Sequence, residues 1–430
     1  MHLRAQILPR WLTRDLRLLL AARLCMSATR SLAGVVVPIY LAVLGFSGVS
    51  LGGLFAVVAV SSAGFTAAIG LLSDRLGRKV FIVALPWLAA LSALGFAFTH
   101  RLGLLIAFAA LGSFGRGAGA GGGAIGPYQP AEQAMLADAV PSEHRNSLFG
   151  RVAFASSVGA LVGAGPLTAL PGFLNRAGWA SLDGLASYRL TFFVLAGIAF
   201  VAGLLALPLQ EPRRAPRPPS ARGLRVLKPR LRPVSWWLLR RLWLTNGLNG
   251  LAVGFFGPFI TYWFYRRYGA GPATIGGLYA LINLAAMGAN LGAAKVAARL
   301  GLVRAITFSR AIQAALMIPM VLAPTFWLAG LFYLLRMVAQ RIGLPLRQSY
   351  VMGVAPPEDR GALGALSNLP SQASSALSPT LAGYLFDHVA LALPFEVGAA
   401  IQGLSTLSFF LFFRRLPPPE EGPPASAASP

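Results

Sequence analysis

The chain has 430 residues, of which 56% are hydrophobic and only 12% charged, with a mean hydropathy of +0.65 and a formal net charge of +24. A soluble globular protein carries about 25% charged residues, so the composition excludes a soluble domain and indicates a multi-pass membrane protein. The single cysteine, Cys25, excludes an intrachain disulfide.

Long apolar stretches recur along the whole chain, each near the length of about 20 residues that an α-helix needs to cross a bilayer. The first stretch continues for a full span and carries arginines, so we expect no cleavable signal peptide. The sequence therefore predicts an all-α membrane protein with twelve transmembrane helices, at residues 16–44, 50–72, 80–99, 102–126, 147–170, 189–209, 239–265, 272–297, 302–323, 325–349, 361–386 and 391–413.

The basic residues concentrate in the loops on one side of the predicted membrane. Lys and Arg accumulate in cytoplasmic loops of membrane proteins, so this pattern predicts that both termini are cytoplasmic, in a plasma (inner) membrane. The high net charge then follows from topology. We expect the lipid bilayer, and not a nucleic acid, as the charged partner.

A Pro- and Arg-rich segment divides the predicted spans into two groups of six. Proline and clustered like charge argue against a packed domain. We predict an N-terminal six-helix bundle over 1–209, a cytoplasmic linker over 210–238 and a C-terminal six-helix bundle over 239–416. The Pro-, Ala- and Ser-rich tail, 417–430, is predicted to be disordered.

Two short segments repeat at corresponding span ends in the two halves. Residues 141–145 (PSEHR) after the fourth span match residues 356–360 (PPEDR) after the tenth. Residues 74–77 (DRLG) after the second span match residues 298–301 (ARLG) after the eighth. Two parallel repeats of this kind are typical of secondary transporters with a substrate site near the membrane midplane.

Residues 70–79 read Gly70-Leu71-Leu72-Ser73-Asp74-Arg75-Leu76-Gly77-Arg78-Lys79 between the second and third spans. This segment resembles the loop between helices 2 and 3 of major facilitator superfamily (MFS) transporters. The resemblance implies two pseudo-symmetric six-helix bundles that work by alternating access, with this loop controlling the cytoplasmic gate. Any short cytoplasmic turn also collects basic residues, but that alternative does not explain the aspartate or the glycine spacing. The gating residues implied are Gly70, Asp74, Arg75, Gly77, Arg78 and Lys79, together with Asp138 as the acid on helix 4.

The fifth span contains Gly150, Gly159, Gly163 and Gly165, followed by Pro166. This pattern resembles the glycine–proline motif of helix 5 in drug–proton antiporters, although the proline comes two residues late. The resemblance implies efflux and adds Gly163 and Pro166 to the gating residues. Close helix packing through small residues is the alternative interpretation.

Arginines within the spans indicate the substrate. Arg23 and Arg30 lie seven residues apart on one face of the first span, and Arg116 resembles the arginine of helix 4 in the family. Each mid-membrane arginine costs about 2.5–3.5 kcal/mol, so it should face a wet cavity or a partner, although Arg23 can also extend to the cytoplasmic surface. Asparagines in the second half can line a cavity or form interhelical hydrogen bonds. The predicted substrate-binding residues are Arg23, Arg30, Arg116, Asn246, Asn249, Asn283, Arg310 and Arg336.

Glu132 follows the fourth predicted span, just beyond Pro127-Tyr128-Gln129-Pro130. It is the best candidate for a buried acid that couples protons; a solvated position at the interface is the alternative. We therefore predict proton-coupled efflux of a small organic solute. Arginines without buried acids favour an alternative, a proton-independent exchanger of organic anions or organophosphates.

Other classes of function receive no support from the sequence. The sequence has no cluster of His, Asp or Glu near an interface that would serve acid–base or metal chemistry, so we expect no enzyme activity, no catalytic or metal site and no cofactor. We expect a monomer that binds a small molecule. Tyr262, Trp263, Tyr265 and Tyr268 are predicted to form an aromatic belt at the membrane interface.

Overall fold

The computed structural model describes residues 12–114, 127–140, 142–176, 185–210, 232–354, 356, 363 and 366–416. Within these ranges the side chains of residues 70, 71, 74, 75, 130, 134, 137, 138, 142, 143, 145, 146, 174–176, 290–295 and 352 lie outside the description. All structural statements below refer to the described residues.

The described residues of the first half of the chain form a series of helices. The first helix is capped by Thr13, whose hydroxyl accepts a hydrogen bond from the backbone N–H of Leu16 at 3.4 Å. The helices are α1 (Arg14–Val43), α2 (Gly48–Leu76), α3 (Arg78–Phe98), α4 (Leu102–Gly112), α5 (Tyr128–Asp138), α6 (Ser142–Ala164), a 3₁₀ helix (Pro166–Ala169), α7 (Leu170–Arg176) and α8 (Leu185–Ala206).

The second half is also helical, and no described residue lies in a β-strand. Its helices are α9 (Pro233–Phe256), α10 (Ile260–Tyr268), α11 (Pro272–Leu300), α12 (Leu302–Ala315), α13 (Met317–Leu322), α14 (Phe326–Val354), α15 (Leu369–His388) and α16 (Leu393–Phe413). Across the described residues, eight helical stretches are long and apolar enough to cross a membrane. The prediction of an all-α, multi-pass membrane protein is confirmed.

Several predicted spans are interrupted, and prolines explain two of the breaks. Residues 239–265 divide between α9 and α10 beside Pro258, and residues 302–323 divide between α12 and α13 four residues before Pro319. Proline has no N–H and its ring collides with the carbonyl four residues earlier. Leu302–Leu322 nevertheless remains one apolar stretch long enough to cross a membrane. Helix α9 begins at Pro233, inside the predicted linker 210–238.

Contacts divide the described helices into two compact units. The first contains α1 to α8 together with Ile260–Asn283, and the second contains α9, the rest of α11 and α12 to α16. The predicted boundaries at 209 and 239 differ from this division, because α10 and the start of α11 pack within the first unit. The four-domain division remains a prediction, since residues 211–231 and 417–430 lie outside the description.

In the first unit, α6 packs on α1 through two glycines spaced four residues apart. A Cβ atom at Gly159 would collide with the carbonyl oxygen of Leu24, and one at Gly163 would lie 2.8 Å from the Cα atom of Ala28. Ser27 of α1 also donates a hydrogen bond to the backbone oxygen of Ser156 at 2.6 Å. The absence of side chains therefore allows the two backbones to approach closely.

The second unit repeats this packing between α9 and α15. Cβ atoms at Gly250 and Gly254 would collide with Ser371 and with the hydroxyl group of Ser378. The helices correspond to the first and fifth spans of each half, which agrees with two pseudo-symmetric bundles. The glycines, however, lie on the fifth span in the first half and on the first span in the second.

Two single glycines join consecutive helices at corresponding places. Gly77 lies between α2 and α3 with φ 90° and ψ 144°, and Gly301 lies between α11 and α12 with φ 76° and ψ 154°. Only glycine adopts these angles without steric cost. The weaker of the two sequence repeats thus has the same backbone conformation in both halves. Residues 70–76 are helical, so the predicted turn over 70–79 is reduced to Gly77.

The predicted aromatic belt is partly wrong. Tyr262 and Trp263 are 3% and 1% exposed, because α10 packs on α1 within the first unit. Tyr265 and Tyr268 keep partial exposure.

We expect Gly163→Leu to destabilise the protein by about 1–3 kcal/mol, since the new side chain would force α6 away from α1. Thermal unfolding of the purified protein in detergent measures this. Gly150→Leu is the matched control on the same helix, because a Cβ atom at Gly150 meets nothing within 4 Å. Equal losses in the two variants would contradict the close approach.

Candidate functional site

A buried ion pair joins α1 to α5 in the first unit. Arg23 donates from Nη1 to Oε2 of Glu132, and it donates from Nε to the hydroxyl of Ser156 on α6 at 2.6 Å. Glu132 is completely buried and Arg23 is 3% exposed. The structure therefore excludes a solvated Glu132 and an Arg23 that extends to the membrane surface. The pair ties three helices of the unit together.

The second carboxylate oxygen of Glu132, Oε1, has no hydrogen-bond partner among the described residues. The same holds for the hydroxyl of Tyr128, one helical turn earlier on α5. Both side chains are completely or almost completely buried. An acid with an unsatisfied buried oxygen lowers its desolvation cost when it takes up a proton.

A small cavity lies beside Tyr128. Its volume is about 20 Å³, room for one water molecule, and its lining includes Thr29, Arg30, Ser113 and Tyr128. Arg30 is half-buried at this cavity. The structure thus brings Arg30 into the neighbourhood of the α5 residues, as expected if α1 and the fourth span line one polar region.

Several predicted residues cannot be placed. Arg116 lies outside the described residues, and so do the side chains of Asp74, Arg75 and Asp138. The backbone places Gly70, Asp74 and Arg75 in the last two turns of α2, and Asp138 at the end of α5. The gate assigned to them remains a prediction.

The remaining gating candidates are described. Arg78 is buried in the first turn of α3, and Lys79 is partly exposed. Gly163 contacts α1 as described above, and Pro166 begins the 3₁₀ helix that follows α6. Gly163 and Pro166 therefore lie where the fifth span changes from an α-helix to a tighter turn.

In the second unit the asparagines of α9 form hydrogen bonds between helices. Asn246 is 1% exposed; its amide donates to the backbone oxygen of Ser367 at 2.8 Å, and its Oδ1 accepts from Nη1 of Arg347 at 2.8 Å. Asn249 accepts a hydrogen bond from Gln402 at 3.1 Å. Asn283, at the end of the α11 segment that belongs to the first unit, instead donates to the Tyr279 carbonyl of its own helix at 3.0 Å.

Arg347 is a polar residue that the sequence analysis missed. It also donates to Oδ1 of Asn368 at 3.0 Å, so it bridges the start of α15 to α9. In the sequence it lies two residues before the end of the predicted tenth span, 325–349. Its helix, α14, continues to Val354, so Arg347 lies within the helix and not at its end.

Two further arginines of the second unit are buried over aromatic rings. The Cζ atom of Arg310 lies 4.9 Å from the ring centroid of Phe409, and that of Arg336 lies 3.9 Å from the ring centroid of Phe256. Arg310 is 5% exposed and Arg336 is 1% exposed. Within the described part of the chain, Nη1 of Arg310 and both Nε and Nη2 of Arg336 have no hydrogen-bond partner. Cation–π contact shields these charges only in part.

No group of three or more His, Cys, Asp or Glu side chains that could hold a metal occurs among the described residues. The contacts described above are ion pairs and hydrogen bonds between helices. Polar contacts of this kind within membrane spans are typical of binding and transport sites.

Comparisons with known proteins agree with this assignment. The family profile described as Major Facilitator Superfamily matches residues 19–337 and 242–430 of this chain. The quinolone resistance protein NorA of Staphylococcus aureus (strain COL) is 23% identical over 380 residues, which cover 86% of this chain and 89% of NorA.

Solved transporter structures share the fold. A bacterial homologue of the human lysosomal transporter Spinster, in an inward-facing and unoccupied conformation, is similar with a TM-score of 0.67 and 15% identity, covering 94% of this chain and 96% of that chain. A D-xylose–proton symporter has a TM-score of 0.67 and 17% identity, covering 94% of this chain and 98% of that chain. At these identities the likeness establishes the fold alone.

Removing one partner of the buried pair should destabilise the protein. We expect Arg23→Met or Glu132→Gln alone to cost about 3–5 kcal/mol, because each leaves the other polar group buried without its partner. The double variant should recover at least half of this loss, as measured by thermal unfolding in detergent. Purely additive losses would show that the two side chains do not interact.

Proposed function

Because the chain belongs to the Major Facilitator Superfamily, we propose that it exports a small organic solute in exchange for protons, with Glu132 as the proton-binding residue. The observation that carries the proposal is the completely buried Glu132, paired with Arg23 on one carboxylate oxygen and unsatisfied on the other. The quinolone resistance of the relative NorA supports export of an organic solute. The plasma membrane, with both termini cytoplasmic, is the setting that the basic loops favour.

Protonation of Glu132 would remove the negative charge that neutralises Arg23. Leaving a buried guanidinium without its counter-charge is costly, so the contacts of α1 with α5 and α6 would weaken at the moment of proton uptake. Ser156 and Ser27 are hydrogen-bonded across the same interface. Proton binding is thereby linked to the packing of the spans that carry Gly163 and Pro166, the proposed gating residues.

The other predicted residues of the first half are proposed to act on the same solute. Arg30 lines the small cavity beside Tyr128 and is proposed to contact the solute, together with Arg116. Arg23 is paired with Glu132 and is proposed to maintain the deprotonated state in which the solute binds. Proton uptake by Glu132 would end this state and release the solute, so that proton and solute bind in alternation, as exchange requires.

The test is solute flux in proteoliposomes under an imposed pH gradient, with a fluorescent quinolone as the probe. We expect Glu132→Gln to lower gradient-driven flux at least tenfold, while exchange of the quinolone at equal pH persists and shows that the variant is folded. Asp387→Asn, which removes an exposed acid at the end of α15, is the matched control and should retain flux. Flux by the parent protein that ignores the pH gradient would overturn proton coupling.

A second candidate function, proton-independent exchange of organic anions, is favoured by Arg310 and Arg336. Both are buried, and both have nitrogen atoms without hydrogen-bond partners among the described residues. A carboxylate or phosphate of a solute would satisfy these donors.

Counterflow of a labelled dicarboxylate or sugar phosphate distinguishes the two candidates. If anion exchange is the function, we expect counterflow to be independent of pH and to fall at least tenfold in Arg310→Gln and Arg336→Gln. Arg267→Gln, a change at an exposed arginine, should leave it unchanged. Thermal-shift screening with Arg30→Ala and Arg116→Ala then tests whether the first half contributes to the same solute.

A further inference from the structure

An apolar groove runs along the second unit between α12–α13 and α16. One wall carries Ala311, Ala314 and Ala315, and the other carries Ala399, Ala400 and Gly403. The volume of the groove is about 710 Å³. The groove exists because the residues on both walls are small; larger side chains would have filled the space between the helices.

The residues at the rim of the groove have no covering element in their unit. Ile318, Leu322 and Leu407 are 54%, 71% and 55% exposed. Both walls belong to stretches long and apolar enough to cross the membrane, Leu302–Leu322 and Leu393–Phe413. The groove therefore lies at the depth of the hydrocarbon core, where acyl chains are the surrounding medium.

The dimensions of the groove fit an acyl chain. Its lining extends along α12 and α13 from Thr307 to Leu322, a rise of about 22 Å at 1.5 Å per residue. A chain in it would reach from one membrane surface past the midplane of a hydrocarbon core about 30 Å thick.

At one end the groove meets a basic cavity of about 330 Å³. Phe410 lines both, and the basic cavity adds Val303, Arg304, Arg414 and Arg415. The three arginines are exposed, and the cavity lining includes no acid. They lie at the ends of two predicted spans, at the membrane side that the sequence predicts to be cytoplasmic.

This basic end is suited to a phosphate group. Arg304 lies in the first turn of α12, whose N-cap is Gly301 and has no side-chain cap. The helix dipole there favours an anion. A bound anion would also reduce the repulsion among the three arginines that line the cavity. Arg414 follows the last residue of α16, with its Cζ atom 5.9 Å from the ring centroid of Phe410. Phe410 therefore lies at the boundary between the apolar and the charged parts.

We propose that this groove binds one anionic phospholipid, with an acyl chain between α12–α13 and α16 and the headgroup phosphate on Arg304, Arg414 and Arg415. The apolar groove matches the acyl chain of such a lipid, and the basic cavity at its end matches the negatively charged headgroup. The proposal depends on the membrane location of the chain and not on the identity of the transported solute.

The test is native mass spectrometry of the full chain in detergent, titrated with phosphatidylglycerol or with phosphatidylcholine of the same acyl chains. We expect one tightly retained phosphatidylglycerol, and at least tenfold weaker retention of phosphatidylcholine. The triple variant Arg304→Gln, Arg414→Gln, Arg415→Gln should lower phosphatidylglycerol affinity at least tenfold, since each arginine near an anionic headgroup contributes about fivefold.

The matched control removes three exposed arginines elsewhere on the same predicted side: Arg14→Gln, Arg17→Gln, Arg299→Gln. It should change affinity less than twofold. An equal loss in this control would show diffuse attraction between basic loops and anionic lipid, and would overturn the site.

The apolar part is tested separately with Gly403→Phe, which fills the groove. A Cβ atom at Gly403 meets nothing within 4 Å, so the variant should fold with an unchanged unfolding temperature in lipid-free detergent. We expect it to lose phosphatidylglycerol retention while keeping all three arginines. Unchanged retention, or a thermal shift with inorganic phosphate equal to that with phosphatidylglycerol, would overturn the acyl-chain part of the proposal.

Discussion

A charge placed in an apolar membrane must be neutralised or shielded, and this constraint decides how the chain uses its few acids and many arginines. Each arginine at mid-membrane depth costs about 2.5–3.5 kcal/mol unless it finds a partner. Arg23 finds a carboxylate and a serine hydroxyl, whereas Arg347 finds two asparagine oxygens. Arg310 and Arg336 have aromatic rings instead of an acid. The two halves thus neutralise their buried arginines in different ways. The first half provides a carboxylate, that of Glu132. The second half contains Arg310 and Arg336, whose unsatisfied nitrogen atoms could donate to an anion.

Helix packing is subject to a second constraint. Within a membrane the hydrophobic effect does not hold helices together, so they associate through close van der Waals contact and hydrogen bonds. The first and fifth spans of each half meet through glycines spaced four residues apart. In the first half this interface also carries Arg23, Ser27 and Ser156, so the closest helix contact and the buried charge share one location. Any event that changes the charge must therefore act on the packing, which is why the pair is suited to conformational coupling.

The sequence predicted the class of fold because twenty apolar residues in a row have one stable conformation in a bilayer. It did not predict the breaks near Pro258 and Pro319, although the steric rule for proline could have found them. It selected Glu132 as the candidate buried acid but did not place it opposite Arg23, because 109 residues separate the two and composition carries no information on which helices are neighbours. Arg347 was missed for the same reason, since its partner Asn246 lies on α9 and its partner Asn368 at the N-cap of α15. The gate around Asp74 and Asp138 stays a prediction, because those side chains lie outside the described residues.

Gly77 and Gly301 have similar backbone angles, so they can be taken as equivalent positions when the sequences of the two halves are aligned. From each glycine to the proline that begins the next repeated segment, the first half has 64 residues (Gly77 to Pro141) and the second has 55 (Gly301 to Pro356). The first half is therefore nine residues longer over this interval. The interval in the first half includes the glycine-rich run 119–123 and Arg116. If both halves descend from one duplicated ancestor, the extra residues were gained or lost on one side only, and the third and fourth spans are the place where the halves have diverged in length.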